Sequence, residues 1–504
     1  MAELDLQRAT QPPPTSAQPR SWPRWANRRT AELAVLVLVV GAAFLVRLWP
    51  IWKVHFWDET VYLQNAEVIC CGKTNYSELD SRPPLLSLLF AGAFLLWHSP
   101  YAASVVTAAL NALGPLFLYL GGRRVVGKSG AALAALLLAF SPFFVNTGNS
   151  ILTDSPAVTL IIVAFWALMK VADDERPYLY LAAGLVSALA ILMRFASLPT
   201  VALMALLLFR AVRPLRAIAQ YAIGVTIGFG PYLLWSRVQH GGFLATLHYG
   251  WRNATQVAVG TPQPAYYYLR NFGRMFPWMA ALGLGLWLVN YIRIKRTQSN
   301  NAESAECPAY AVIPERSNAG VVWFLWLWVL GELAYFSVIK YKEFRYIMPL
   351  AAPLFLLAGS GLATLLGGRT RRSRIVGGVA LAAILVYSFS PVLKRFQSPF
   401  VAPYVSEEKQ VSDFLNANSR SGGVLYANFN YPVFGYYTRL PVRVLLQTDD
   451  GFYGSFPENM PNDGYLILYK ELDWNPRLEW ADANQHFRRL REYPSLVVYE
   501  YRAW

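Results

Sequence analysis

The sequence predicts a polytopic α-helical membrane protein, with about eleven transmembrane helices and a small C-terminal α/β extracytoplasmic domain. Of its 504 residues, 55% are hydrophobic and only 15% are charged, whereas soluble proteins carry about 25% charged residues. Long apolar runs recur until about residue 391 and then stop. These observations exclude a soluble enzyme, a disordered chain and a disulfide-rich scaffold.

Aromatic and basic residues support the same class. The 17 Trp, 29 Tyr and 28 Phe residues suit membrane–water interfaces, where one end of the side chain is apolar and the other is wet. The net charge of +15 would suggest nucleic acid in a soluble protein. Here the excess of Lys and Arg on the cytoplasmic side of a membrane explains it, and we expect no nucleic-acid partner.

The N-terminal region sets the orientation. Residues 1–30 are rich in Pro, Gln and Arg and predict a disordered cytoplasmic tail. The first apolar run, 31–52, is long enough to cross a hydrocarbon core of about 30 Å, and its inner flank is basic. Further runs lie near 101–121, 129–145, 155–172, 178–193, 197–212, 217–236, 276–292, 319–339, 346–366 and 375–391.

The loops between these runs agree with that orientation. The strongly basic short loops 123–128, 210–216, 293–296 and 369–374 all fall on the cytoplasmic side, while the basic segment 340–345 is an exception on the outer side. We therefore expect a multi-pass protein of the cell (plasma or inner) membrane with its N-terminus in the cytoplasm.

Three parts follow from this topology: a cytoplasmic tail (1–30), a transmembrane domain (31–395) with a first outer loop (53–100), and an extracytoplasmic α/β domain (396–504). In the outer loop, the apolar stretch 85–97 is too short to span and predicts an interfacial or re-entrant helix. In the last part we expect a helix at 407–418, a polar helix around 479–491, and strands near 423–427, 442–446, 465–469 and 496–501.

A carboxylate pair, Asp58 and Glu59, begins the first outer loop. Adjacent carboxylates point in different directions on a helix, so one can accept a proton while the other orients a substrate. Burial beside Phe56 and Trp57 is expected to raise the pKa of such a carboxylate. The alternative is an acidic first turn stabilised by the helix dipole.

Cations of the outer face are the second group of candidates. Arg82, next to Asp80 and held by two following prolines, can grip a phosphate or, alternatively, lie on lipid headgroups. Lys342 and Arg345 breach the positive-inside pattern, which favours an anionic ligand. On a helix these two residues would share a face, and the alternative is a surface salt bridge with Glu343.

Two further ionisable residues have simpler interpretations. Asp154 follows Thr153 at the outer junction of two spans, where a helix cap with Pro156 in the first turn is the favoured reading. Arg194 is either an outer phosphate ligand or a helix-end anchor. The cysteines Cys70, Cys71 and Cys307 are too few and too badly spaced for a disulfide framework or a zinc site.

Four short motifs carry a resemblance to a known family. Together they resemble the GT-C superfamily of integral-membrane glycosyltransferases, of the protein O-mannosyltransferase and lipid A aminoarabinose transferase type. Relatives have Lys/Arg-Pro-Pro-Leu at the second motif and His-Lys-Glu-x-Arg-Phe at the fourth, with Tyr341 here in place of His. The motifs are Asp58-Glu59 with Tyr62, Arg82-Pro83-Pro84-Leu85, Thr153-Asp154, and Lys342-Glu343-Phe344-Arg345-Tyr346 followed by Pro349.

The resemblance implies sugar transfer from a polyprenyl-phosphate donor to a lipid, glycan or protein acceptor, with inversion. It makes Asp58 the general base, and it gives Glu59 or Asp80 the positioning of acceptor or sugar. The resemblance leaves a divalent metal open. It assigns the leaving phosphate and the bound substrate to Arg82, Lys342, Arg345, Tyr62 and Asp154.

A transporter or flippase of lipid-linked sugars is the alternative function. Such a protein is expected to carry its ionisable residues near the bilayer midplane, in two related halves. Here the candidates lie at one face, and the sequence has no half-to-half symmetry. A scaffold that merely anchors residues 400–504 would not need so many spans.

The topology can be tested with reporter fusions. A reporter that is active only in the exported compartment should be active when fused after Trp504 and inactive when fused near Lys295, because the basic short loops alternate to one side. The opposite pattern would place all the candidate residues in the cytoplasm.

Overall fold

The computed structural model is mainly helical, with one five-stranded sheet near the C-terminus. Residues 1–27 of the expected tail and 277–292 of one expected span lie outside the described residues. The structure describes residues 28–49, 57–73, 76–174, 176–252, 262–276, 319–368, 370–397, 406–420, 422–445, 451–472 and 475–503.

Seven of the described helices are long and apolar enough to cross a membrane, which confirms a polytopic protein. An eighth candidate is the bent pair Gly127–Phe140 and Pro142–Gly148, whose axes differ by 52°. The expected spans at 178–193 and 197–212 are shorter helices, and the second is interrupted by 3₁₀ turns. The helices of this region are α1 (Arg28–Leu48), α4 (Pro100–Gly122), α5 (Gly127–Phe140), α6 (Pro142–Gly148), α7 (Asp154–Asp174), α8 (Pro177–Met193), α9 (Leu198–Ala205), α10 (Pro214–His240), α14 (Ala319–Val338), α15 (Ala351–Leu366) and α16 (Arg371–Gln397).

Small residues let the backbones of α8 and α10 touch. A Cβ atom at Gly184 would lie 2.1 Å from the carbonyl oxygen of Tyr221, and one at Gly224 would lie 2.1 Å from that of Leu181. Close contact of this kind is how membrane helices gain packing energy without a hydrophobic driving force. It fixes the end of α8, which Arg194 follows directly.

Two helices of the segment 53–100 pack against each other. They are α2 (Trp57–Cys71) and α3 (Leu85–Leu96). With 12 residues, α3 is shorter than the roughly 20 residues that a span requires. The Ser87 hydroxyl donates to the Tyr62 carbonyl (3.2 Å), which ties the two helices together. Short helices on the same side are α11 (Ala245–Arg252), α12 (Tyr267–Arg270) and α13 (Phe272–Met275).

The C-terminal region forms the expected small α/β unit. Its sheet has the order β2-β1-β3-β5-β4. The strands β2, β1 and β3 are parallel to one another, and β5 is antiparallel to both of its neighbours, β3 and β4. The elements are α17 (Glu407–Asn418), β1 (Val424–Ala427), α18 (Tyr431–Tyr437), β2 (Val442–Val444), α19 (Gly451–Gly454), α20 (Phe456–Asn459), β3 (Gly464–Tyr469), α21 (Leu478–Ala483), β4 (Phe487–Glu492) and β5 (Leu496–Tyr501).

Alternation along the strands gives the sheet two cores. Leu425 and Ile467 point to the face covered by α17 and α18. Tyr426 and Leu466 point to the opposite face, which α19, α20 and α21 cover. The period-2 pattern of the strands therefore builds a three-layer unit.

One prediction for this region is wrong. The polar helix expected around 479–491 is a short helix, α21, followed by the edge strand β4. The helix ends before Asn484, whose backbone is extended. The charged residues of β4 fit an edge strand, because charge on an exposed edge blocks further strand pairing.

Candidate active site

The first turn of α2 brings Asp58 between two arginines from distant parts of the chain. Arg82 Nη2 lies 3.0 Å from Asp58 Oδ1, and Arg345 Nη1 donates to Asp58 Oδ2 at 2.6 Å. Arg82 precedes α3, and Arg345 lies in a 3₁₀ turn (Phe344–Leu350) that leads into α15. One carboxylate therefore holds two guanidinium groups at the same point.

Each arginine also has a carboxylate partner of its own. Arg82 Nε donates to Glu78 Oε2 at 2.7 Å, and the Tyr76 hydroxyl donates to the same carboxylate. Arg345 pairs with Glu343 through Nε and Nη2. Because a guanidinium group is a rigid planar fork, two partners set its orientation. The two forks thus approach Asp58 in fixed directions.

A buried ion pair continues the cluster. Asp154 begins α7 and pairs with Arg194, which lies between α8 and the next helical segment. Arg345 Nη1 is 3.9 Å from Asp154 Oδ2, and the Arg194 guanidinium lies 5.5 Å from the centre of the Tyr346 ring. Asp154 is thus at a helix start, as expected, and is also part of the charge cluster.

Glu59 and Tyr62 attach α2 to the segment before α7. The buried Glu59 carboxylate accepts a hydrogen bond from the Ile151 backbone N–H (2.9 Å). The hydroxyls of Tyr62 and Thr153 are 3.3 Å apart. The two carboxylates of the pair therefore have different environments: Asp58 contacts two arginine side chains, and Glu59 accepts a hydrogen bond from the backbone.

The expectation that burial raises the pKa of Asp58 is wrong. Burial by itself would raise it, but the positive charges of Arg82 and Arg345, with a smaller effect of Arg194, outweigh burial and lower the pKa to about 2. An adjacent opposite charge favours the ionised form more than the loss of water disfavours it. Asp58 is consequently a carboxylate at any physiological pH.

Two residues that were expected to bind substrate, Lys342 and Asp80, make other contacts in the structure. Lys342 lies before the 3₁₀ turn and is separated from it by Glu343, whose backbone is extended, so it does not share a helical face with Arg345. Its ammonium group donates to the carbonyls of Gln263 (3.0 Å) and Ile339. Burial lowers its pKa. Asp80 is exposed and lies 3.4 Å from His240 Nε2. The pattern misplaced Lys342 because it assumed a helix across this segment.

The charge cluster does not fit a divalent metal ion. Such an ion needs carboxylate oxygens that are free to coordinate it. The carboxylates of Asp58 and Asp154 are instead paired with guanidinium groups, whose positive charge repels a metal cation. Elsewhere in the described chain Glu67, Cys71 and His98 lie close together, but Cys71 is bonded to Cys70 in a disulfide and has no thiolate to offer.

One member of the cluster, Glu78, was not identified from the sequence, and the role of another, Arg194, was left open. Glu78 was not singled out, although it lies four residues before Arg82, a spacing at which a carboxylate and a cation can meet. Arg194 was left between two interpretations, and the structure brings it to Asp154. Its signal is that it is a lone cation between two apolar runs.

Comparisons with known proteins agree with this architecture. Residues 81–235 match the family model for dolichyl-phosphate-mannose-protein mannosyltransferase. No curated protein matches the sequence.

Solved structures match over nearly the whole chain. ArnT from Cupriavidus metallidurans, bound to undecaprenyl phosphate, is 14% identical; the match covers 93% of this chain and 98% of that chain with a TM-score of 0.66. The archaeal oligosaccharyltransferase AglB from Archaeoglobus fulgidus, in complex with an inhibitory peptide and a dolichol-phosphate, is 12% identical; the match covers 88% of this chain and 70% of that chain with a TM-score of 0.58. The family match and the shared architecture confirm the resemblance to the GT-C integral-membrane glycosyltransferases, and the chain has the GT-C fold.

Proposed function

We propose that this protein is a membrane glycosyltransferase that moves a sugar from a polyprenyl-phosphate donor to an acceptor on the outer face of the membrane, with inversion. The N-terminus is cytoplasmic and the C-terminal domain extracytoplasmic in this proposal. The observation that carries it is the carboxylate of Asp58 held between Arg82 and Arg345. The proposed base, Asp58, is thus in direct contact with the two guanidinium groups that are proposed to bind the phosphate.

The donor class is supported by the chemistry of the two arginines. A guanidinium fork binds phosphate oxygens in pairs, and Arg82 and Arg345 converge on one point. The ArnT structure contains undecaprenyl phosphate and the AglB structure a dolichol-phosphate. We infer that the donor of this protein is likewise a polyprenyl phosphate, here carrying a sugar.

The proposed reaction is a single in-line displacement. The acceptor oxygen attacks the anomeric carbon of the donor sugar, and the bond from that carbon to the phosphate oxygen breaks. The hydroxyl proton passes to the Asp58 carboxylate, and the polyprenyl phosphate leaves with the bonding electrons. Arg82 and Arg345 stabilise the negative charge that develops on the leaving group. Glu59, Tyr62 and Asp154 hold the elements around the reacting atoms, and no metal takes part in these steps.

Donor binding also activates the base in this proposal. Without a donor, Asp58 is the carboxylate on which Arg82 and Arg345 converge, and with a pKa of about 2 it is a weak base. A donor phosphate draws the same two guanidinium groups towards its own oxygens. Since Asp58 then shares its compensating charge while it remains buried, its pKa rises and it becomes a better proton acceptor.

Removal of the proton acceptor tests the function. We expect Asp58→Asn to lower sugar transfer by a factor of about 10² or more, because the amide keeps the shape of the side chain but cannot accept the proton. The measurement is donor consumption by the full-length protein in detergent, with a panel of polyprenyl-phosphate sugars. A flippase would not consume the donor under these conditions, because detergent micelles do not separate two compartments between which a lipid can be moved.

The matched control is Asp413→Asn, which removes an exposed carboxylate paired with Lys409 in α17 and should leave transfer unchanged. Full activity of Asp58→Asn together with an inactive Glu59→Gln would show that the assignment within the pair is wrong. Absence of donor consumption by the wild type with every donor of the panel would favour the transporter.

The pH dependence tests activation by the donor. The ratio kcat/KM for the donor reports the free protein, in which the pKa of Asp58 is about 2, so it should show no loss from Asp58 protonation between about pH 7 and pH 5. The turnover number kcat reports the donor complex, in which the pKa is higher, so its loss in acid should begin at a higher pH. Coincident acid limbs would contradict the activation step.

A further inference from the structure

The C-terminal sheet contains a topological switch point. From β1 the chain passes through α18 to β2 on one face, and from β2 it passes through α19 and α20 to β3 on the other face. The strand order β2-β1-β3 therefore places the reversal between β1 and β3. In open sheets of this kind, ligands bind in the crevice beyond the carboxyl ends of the strands at the reversal. Here the carboxyl ends of these strands are Ala427 and Tyr469, and the region beyond them is termed the crevice.

Asn428 is the first residue beyond β1. It is 1% exposed, and its side-chain oxygen Oδ1 has no hydrogen-bond partner in the described part of the chain. An enclosed polar atom without a partner is unfavourable, and most such atoms in native proteins are satisfied. This oxygen is therefore a candidate acceptor for a hydrogen bond from a ligand.

Aromatic rings connect this crevice to the candidate active site. The Phe429 ring centre lies 5.3 Å from that of Tyr469 at the end of β3 and 5.6 Å from that of Trp57. Trp57 precedes Asp58 in the first turn of α2. The three rings thus form a row from the carboxyl end of β3 to Trp57, the residue next to the proposed base.

Polar groups lie at the same carboxyl end of the strands. Asn430 has a left-handed backbone (φ 48°), and its amide donates to Glu408 Oε1 (2.7 Å) and to the Tyr469 hydroxyl (3.2 Å). The Tyr469 hydroxyl also donates to Glu408 (2.8 Å). A left-handed conformation in a residue other than glycine is uncommon and occurs often at functional sites.

We propose that this crevice is an acceptor subsite that binds an uncharged sugar ring. The inference rests on the proposed function and names the acceptor class as a glycan or glycolipid. Flat aromatic surfaces match the apolar C–H face of a sugar, while amide and hydroxyl groups match its hydroxyls. The Glu408 carboxylate disfavours an anionic group at this position.

Saturation-transfer NMR on the full-length protein tests the subsite directly. The probes are methyl α-mannoside and methyl β-glucoside, with glucose 6-phosphate as the charged probe, in a detergent without a sugar headgroup. We expect saturation transfer to at least one neutral glycoside and loss of that signal in Asn428→Ala. Transfer to glucose 6-phosphate, which the proposed phosphate ligands Arg82 and Arg345 can bind, should be the same in this variant as in the wild type. Each variant is assayed in its folded state, which a measured Tm verifies.

Asn416→Ala is the matched control in the same domain. Asn416 donates to the Tyr437 carbonyl (2.9 Å) and accepts from the Arg439 backbone N–H (2.8 Å), so its replacement should lower Tm but preserve sugar binding. If Asn428→Ala does not fold, Asn428→Ser removes the amide and keeps a polar group, with the same expected loss of binding.

Two results would overturn the proposal: no saturation transfer to either neutral glycoside in the wild type, or full retention of the signal in the folded Asn428 variant. The first result would point to a lipid or protein acceptor. The test is separate from that of the proposed function, since Asp58→Asn should bind the glycosides as the wild type does. Failure of donor consumption would leave the binding result standing, and failure of binding would leave the donor result standing.

Discussion

The pairing of Asp58 with Arg82 and Arg345 joins α2, the segment before α3 and the turn before α15 at one point. Charged groups that are largely removed from water are stable only in the company of opposite charges. Glu78 and Glu343 hold the two arginines from the other side, and Asp154 with Arg194 extends the same network. The positions of these groups therefore depend on one another, and the network of ion pairs links the elements that carry them.

In the proposed mechanism this arrangement keeps Asp58 a weak base without a donor and makes it a stronger base when the donor is bound. The same guanidinium groups that lower the pKa of Asp58 are those that a phosphate would attract. In this proposal the phosphate shares the two arginines with Asp58 and does not enter an empty cationic site. The Trp57 ring then links this charge network to Phe429 in the C-terminal domain.

Much of the fold was accessible from the sequence because apolar length and strand alternation are local signals. The Asp58, Arg82 and Arg345 motifs were likewise recognisable, since ionisable residues beside spans are rare. The low pKa of Asp58 was not, because it depends on two arginines that only the tertiary fold brings near. The helix considered across Lys342 to Arg345 and the helix expected around 479–491 were wrong for a related reason: short polar segments carry helix and strand signals of similar strength.

A structure determined by cryo-electron microscopy with a bound polyprenyl phosphate tests the central claim most directly. The account predicts phosphate density within hydrogen-bond distance of both Arg82 and Arg345, with at least one of the two contacts to Asp58 lengthened or broken. Phosphate density away from these two arginines, with both Asp58 ion pairs intact, would contradict it.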